Sequence, residues 1–188
     1  MSELTVGSLS GLAANSYVID VASGSQLTQP GMVLQVVSTT KTDTFTASLA
    51  GGGRTSITGL TATITPSSTN SQILVQASVN GLVGYEIGLS YILTRGGNDI
   101  GIGDAAGSRA RVTGASGAYW VETNVPAPNA YITFLDSPSS SSSLTYGVDA
   151  FNTFGTTLTA YINRTEGDTD VAARPRLTST ITVMEIAG

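Results

Sequence analysis

The sequence predicts an all-β protein, an antiparallel β-sandwich or jelly-roll-like domain with a short extended N-terminal arm. Three observations carry this. Apolar residues alternate at a period of two through most of the chain, as they do in strands with one face in a core. Clusters of Gly, Pro, Asn and Ser punctuate the alternation where an antiparallel sheet needs turns. Thr, Ser and Gly fill 72 of the 188 positions while only 11% of residues are charged. Disordered chains combine high charge with few β-branched residues, and this composition is the opposite.

Taken in chain order, residues 1–30 form the arm and 31–188 the domain. In the arm, Leu4 with Val6 and Tyr17 with Ile19 are short strand candidates broken repeatedly by Gly and Ser. So little side-chain mass cannot make its own core, so the arm is expected as an edge strand on its own subunit or as an extension docked on a neighbouring one. From 57 to 64, Ile57, Leu60, Ala62 and Ile64 interleave with Thr58, Thr61 and Thr63, and a bulge at Gly59 is needed to keep them in phase. Ile73, Val75, Ala77 and Val79 form the next strand, and Tyr85, Ile87, Leu89, Tyr91 and Leu93 a third after an Asn80-Gly81 turn. Gly96-Gly97 turns the chain again. Ala130, Ile132 and Phe134, then Leu144, Tyr146 and Val148, flank an Asp136-Ser137-Pro138 turn and a serine run. Leu158, Ala160 and Ile162, and finally Leu177, Ser179, Ile181 and Val183, complete the set. No apolar run at 3.6 spacing is long enough for a substantial helix. Many short strands with such turns favour a sandwich over an α/β fold.

Composition narrows the chemistry. With no His there is no imidazole base, and with no Cys as well there is no ordinary zinc site. One Lys and seven scattered Arg do not build a phosphate-binding surface, so nucleic acid is not an expected partner. No segment approaches the roughly 20 apolar residues of a membrane helix, and no membrane insertion is expected. Met1-Ser2-Glu3-Leu4 lacks the basic and apolar regions of a signal peptide, which points to a route other than secretion.

Four stretches in fixed order resemble the tail-fibre-like virion structural proteins of marine tailed bacteriophages, cyanophages among them. The first joins Leu34-Gln35-Val36-Val37 and Lys41-Thr42-Asp43-Thr44-Phe45-Thr46 to Thr58-Gly59-Leu60-Thr61 and Thr65-Pro66-Ser67-Ser68, ending at Ile73-Leu74-Val75. The second is Arg95-Gly96-Gly97 with Ile102-Gly103-Asp104-Ala105-Ala106-Gly107-Ser108-Arg109. The third is Phe134-Leu135-Asp136-Ser137-Pro138 with Thr145-Tyr146, and the fourth Tyr161-Ile162-Asn163-Arg164 with Ser179-Thr180-Ile181-Thr182-Val183-Met184-Glu185-Ile186. The resemblance implies a non-enzymatic virion component without cofactors, assembled in the host bacterial cytoplasm. It also implies a homotrimer in contact with other virion proteins and presenting loops for host attachment. A capsid decoration protein, cement or head fibre, docked on the major capsid protein is the alternative. A polysaccharide depolymerase is a further one.

Several residues stand out as candidate sites. Arg95, Asp99, Asp104, Arg109 and Arg111 lie close along the chain and are expected to form an ion-pair network locking a long loop, with a partner-binding loop as the other reading. Tyr119-Trp120 contains the single Trp and is the candidate contact for a host surface glycan or another virion protein, aromatic rings being common anchors at such surfaces. The alternative is that one ring faces the core while the other caps it. Glu166-Gly167-Asp168-Thr169-Asp170 places oxygens at alternate positions but lacks the ligand number of a calcium loop, so a solvated hairpin tip is expected. Neighbouring carboxylates on one tip also lack the separation of about 5–9.5 Å that a glycosidase pair holds across a cleft. No catalytic, cofactor-binding or metal-binding residue is assigned. The serine run 139–143 reads as a surface loop. The Asn163-Arg164-Thr165 sequon is expected to stay unmodified in a bacterium.

Overall fold

The computed structural model describes residues 29–83, 87–117 and 128–188. The strands among them, in chain order, are β1 (Val33–Lys41), β2 (Phe45–Leu49), β3 (Arg54–Ile64), β4 (Gln72–Val83), β5 (Ile87–Gly88), β6 (Ser90–Arg95), β7 (Asn98–Ile100), β8 (Gly114–Ala115), β9 (Asn129–Asp136), β10 (Leu144–Phe151), β11 (Leu158–Ile162) and β12 (Ser179–Ile186). They form two antiparallel sheets packed as a β-sandwich. In the seven-stranded sheet the long β4 is the spine, pairing with β12, β9, β11 and β5, while β1 lies outside β12 and β2 outside β11. The five-stranded sheet runs β3-β10-β6-β7, with β8 also on β6.

One continuous core lies between the sheets. The expected inward sets Ile57, Leu60, Ala62 and Ile64 and Ile73, Val75, Ala77 and Val79 are all buried in it, as are Tyr146, Ile162, Ile181 and Val183. Each such large apolar side chain contributes roughly 1.5–3 kcal/mol by leaving water. The bulge in β3 sits where the alternation slips. Thr61 faces Gly147 and Ser56 faces Asp149, so residues 57–60 lie opposite Val148 alone. Gly59 takes φ +80° there, which lets Ile57 and Leu60 both point inward.

Two elements differ from expectation. The strand expected from Tyr85 to Leu93 is two strands in two sheets. β5 pairs with β4, and β6 pairs with β10. The chain crosses at Leu89, which is fully buried; the alternation survives because both sheets share one core. Tyr85 lies outside the described residues. Asn80-Gly81 is not a turn but part of β4. Gly81 is needed for close approach, since a Cβ there would lie 2.4 Å from the Tyr91 hydroxyl oxygen and 2.5 Å from Ile162 Cδ1.

Other expected punctuation is seen as drawn. Gly96 and Gly97, both at positive φ, make the two-residue loop that pairs Arg95 with Asn98 across the β6–β7 hairpin. The last strand begins at Ser179; Leu177 precedes it and donates its N–H to the Asn163 carbonyl. β12 lies between β1 and β4, deep in its sheet. The arm lies outside the described residues except for Gln29 and Pro30. The domain begins beside the end of β12, where Gly31 donates to the Ala187 carbonyl and Ala187 to that of Met32.

Candidate functional site

The low charge of the chain makes each inward-facing ionic group conspicuous, and the sheets bring these groups to a few braces. Arg95 ends β6, and Tyr146 sits beside it on β10. Both donate to the same Asp136 carboxylate oxygen at the end of β9, Arg95 Nη1 at 2.6 Å and Tyr146 Oη at 2.7 Å. The bridge ties the two sheets together. Burial first, then the hydrogen bond to Asp136, pushes the Tyr146 phenol far above its ordinary value. The Asp136 bond likewise raises Arg95.

A second brace lies on the outer face of the five-stranded sheet. Arg54 Nη1 donates to Asp99 at 2.6 Å, and its Nε lies 3.5 Å from Asp149. Asp149 also accepts from the Ser56 hydroxyl at 2.7 Å. The five residues expected to form one network therefore do not pair with one another. Arg95 and Asp99 serve different braces. Arg109 bonds the Ala106 carbonyl, Arg111 the Gly103 carbonyl, and Asp104 is exposed, with no ion pair among the described residues. The long loop between β7 and β8 is held through main-chain acceptors, because the strand pairing turns Arg95 and Asp99 toward other elements.

The most enclosed carboxylate is Glu185, fully buried on β12. One oxygen accepts from the Ser67 N–H at 2.7 Å, the Ser67 hydroxyl at 2.6 Å and the Ser71 hydroxyl at 2.7 Å. The other accepts from Gln35 Nε2 at 2.6 Å. Burial pushes this carboxyl up, but the bonds from Ser67, Gln35 and Ser71 outweigh it and hold it below the usual range. Glu185 is thus an anion at neutral pH, whereas a general acid needs its proton near the working pH.

At the opposite end of β12, Asn163 adopts φ +61° and closes a polar knot. Its amide donates to the carbonyls of Lys41 and Asp43, and its oxygen accepts from Ser179 at 2.7 Å. Lys41, almost wholly buried, reaches Asp43 at 2.8 Å. The acidic stretch 166–170 is tied back by arginines. Asp168 pairs with Arg164 and Arg176, Arg174 donates to Thr169, and Arg164 lies 5.2 Å from the centre of the Tyr161 ring. The bond from Arg176 holds the Asp168 carboxyl below its ordinary range.

The described residues also form open depressions, two of which lie on the sheet faces. One, of about 230 Å³, lies on the outer face of the five-stranded sheet, with Gly147 set between Thr61 and Thr94 and with Ser56 and Asp149 at one side. The other, of about 190 Å³, lies on the seven-stranded sheet beside Tyr131, which is 84% exposed. Hydroxyl side chains line part of both, but most of the surface they expose is apolar. A comparison with protein-family models and one with curated proteins found no match.

Tyr119 and Trp120 lie outside the described residues. The groups that hold the structure together were legible only in part. Glu185 has the same strand parity as Ile181 and Val183, and Asp136 the same as Ile132 and Phe134, which marks both as inward-facing. Arg54 and Asp149, far apart in the chain, carry no such signal.

Proposed function

We propose that this chain is a non-enzymatic surface protein of a tailed-bacteriophage virion, tail-fibre-like and oligomeric, which presents loops for host attachment. The observation that supports this reading best is that the buried carboxylates Glu185 and Asp136, facing inward, and Asp149, on the outer face, each accept from donors on other strands. Their chemistry is spent on holding a shape. The ordered resemblance over 31–188 supplies the virion setting, and a rigid sandwich carried in several linked copies attaches through avidity. Weak single contacts gain roughly 10²–10⁴ when linked with suitable geometry.

A map of purified virions carrying the protein with a small fused label tests the proposal. Label on the tail fibres is the expected result. Label on the head replaces the tail-fibre assignment with capsid decoration, and protein absent from virions overturns the reading. Purified protein that depolymerises host polysaccharide overturns its non-enzymatic part.

A further inference from the structure

The outer face of the seven-stranded sheet is ordered in rows by the strand register. Val36, Met184, Leu74 and Leu135 face one another in turn across β1, β12, β4 and β9, making an apolar row the full width of these strands. Val36 is 55% and Leu135 47% exposed. The next outward row is Ser38, Thr182, Gln76 and Thr133, and the one after is Thr40, Thr180, Ser78 and Tyr131. Hydroxyls within a row bond each other, Ser38 to Thr182 at 2.8 Å for example. None of these twelve positions carries a charge.

We infer that this face packs against the same face of another copy of the chain. Area, charge and pattern all bear on the choice of occupant. Four strands at about 4.8 Å spacing, with lengths of 9, 12, 8 and 8 residues at about 3.3 Å each, make a surface of roughly 20 by 30 Å. Two such surfaces in contact bury about 1,200 Å², the lower end of the range for specific interfaces. A charged partner, nucleic acid or protein, finds no ionic group to pair with on these rows. Copies of the chain carry a formal charge of −5 and repel elsewhere, but meet here without bringing like charges together. The cores of protein interfaces are depleted of charge in the same way. Sheets packed face to face keep their strands roughly aligned, and a two-fold axis along the strands lays one copy's apolar row on the other's and hydroxyl rows on hydroxyl rows. The contact is isologous, pairing copies two by two, so it does not depend on a virion setting and is distinct from any threefold contact.

Light scattering and sedimentation of the full chain from about 1 to 100 μM test the inference, this range bracketing the micromolar affinities of weaker specific pairs. Wild type is expected above its monomer mass of 19.1 kDa. The double substitution L135K/T182K puts lysines into the contact, where their desolvation and repulsion are expected to weaken association by about 100-fold. T145K, on the other sheet, is expected to leave it unchanged, with all far-ultraviolet spectra alike. Because the chain has no Cys, Q76C adds a single thiol near the centre of the face, and a bifunctional maleimide spanning about 10 Å, the spacing of sheets packed face to face, is expected to link copies. Q76C decides the matter should the lysine variant fail to fold. A wild type that stays at 19.1 kDa through 100 μM overturns the inference, as does a folded lysine variant that associates as wild type does. A Q76C that does not cross-link also overturns it, whether the face is then bare or covered by the chain's own residues 1–28.

Discussion

Replacing Glu185 by Gln changes one atom and one charge while keeping the side-chain volume, so its effect isolates the buried anion. Three donors converge on one oxygen and Gln35 on the other. Hydrogen bonds to a charged group contribute about 1.5–3 kcal/mol each and neutral ones about 0.5–1.5 kcal/mol, so each surviving bond weakens by about 1 kcal/mol. The new NH₂ group also meets the Gln35 NH₂ at what was a 2.6 Å hydrogen bond. Turning the Gln35 amide relieves that clash only by giving up its other bond, to the Thr65 carbonyl at 2.7 Å. Easier burial of a neutral amide offsets part of the loss. The expected net cost is about 2–3 kcal/mol, or about 5–10 °C in Tm for a chain of this size. Urea unfolding with an unchanged m-value measures it. The folded Glu185 carboxyl lies below its ordinary 4.5, so its stabilisation is present above pH 4.5 and fades as pH falls through the lower folded value. The gap between wild type and E185Q should therefore close in that acid range. A gap at pH 7 below about 0.5 kcal/mol, less than one ordinary neutral hydrogen bond, refutes the account of Glu185 as a four-donor anchor.

The other perturbations probe separate joints. Gly81→Ala should cost about 1–3 kcal/mol by overpacking against Tyr91 and Ile162, measured by urea unfolding; a neutral result contradicts the close approach. Asn163→Gly keeps the left-handed backbone but removes the amide bonds to Lys41, Asp43 and Ser179, with an expected loss of about 2–3 kcal/mol in the same assay. Tyr146→Phe should cost about 1–2 kcal/mol by leaving Asp136 to Arg95 alone, seen as a lower Tm. In alkaline titration followed at the phenolate absorbance, Tyr91 and Tyr146 should stay un-ionised well above the ordinary 10.0. Both folded values are raised, so stability is lost as pH climbs beyond 10, and an early, fully reversible ionisation of every tyrosine contradicts their burial.

What the sequence made legible follows from the range of its signals. Period-two alternation is local, and it located the inward faces of β3, β4, β9, β10, β11 and β12, even to the bulge that Gly59 permits. β1 escaped because Val36 and Val37 are consecutive apolar residues in a strand that buries little, one looking outward and one inward. The crossing at Leu89 escaped for a different reason. Alternation reports which side faces the core, and a strand that leaves one sheet for the other keeps the same core beside it. Asn80-Gly81 misled because its glycine answers a tertiary demand, the hydroxyl of Tyr91, rather than a turn. Arg95 and Asp99 were visible as charges near a turn, but their partners Asp136 and Arg54 are 41 and 45 residues away. Pairing of that kind is decided by register between distant strands.

The low charge of the chain has a positional meaning that composition alone does not show. Among the described residues, ionic groups gather at strand ends, in loops and in the Arg54–Asp149 brace of the five-stranded sheet. Glu185 lies at the end of β12 and points inward, where a single sign change in strand parity would have put it on the outer face beside Met184 and Ile186. That arrangement leaves β1, β12, β4 and β9 with an outer surface of Thr, Ser, Gln, Tyr, Val, Leu and Met in these rows. A lone soluble subunit gains nothing from such a surface, since sheet edges and faces are ordinarily guarded by Lys and Glu against sticking. Removing charge from one whole face while concentrating it elsewhere is what a subunit that meets its own copies requires. The same low charge therefore connects the fold to the inferred self-contact: it permits the strands, and its distribution leaves one face free of charge.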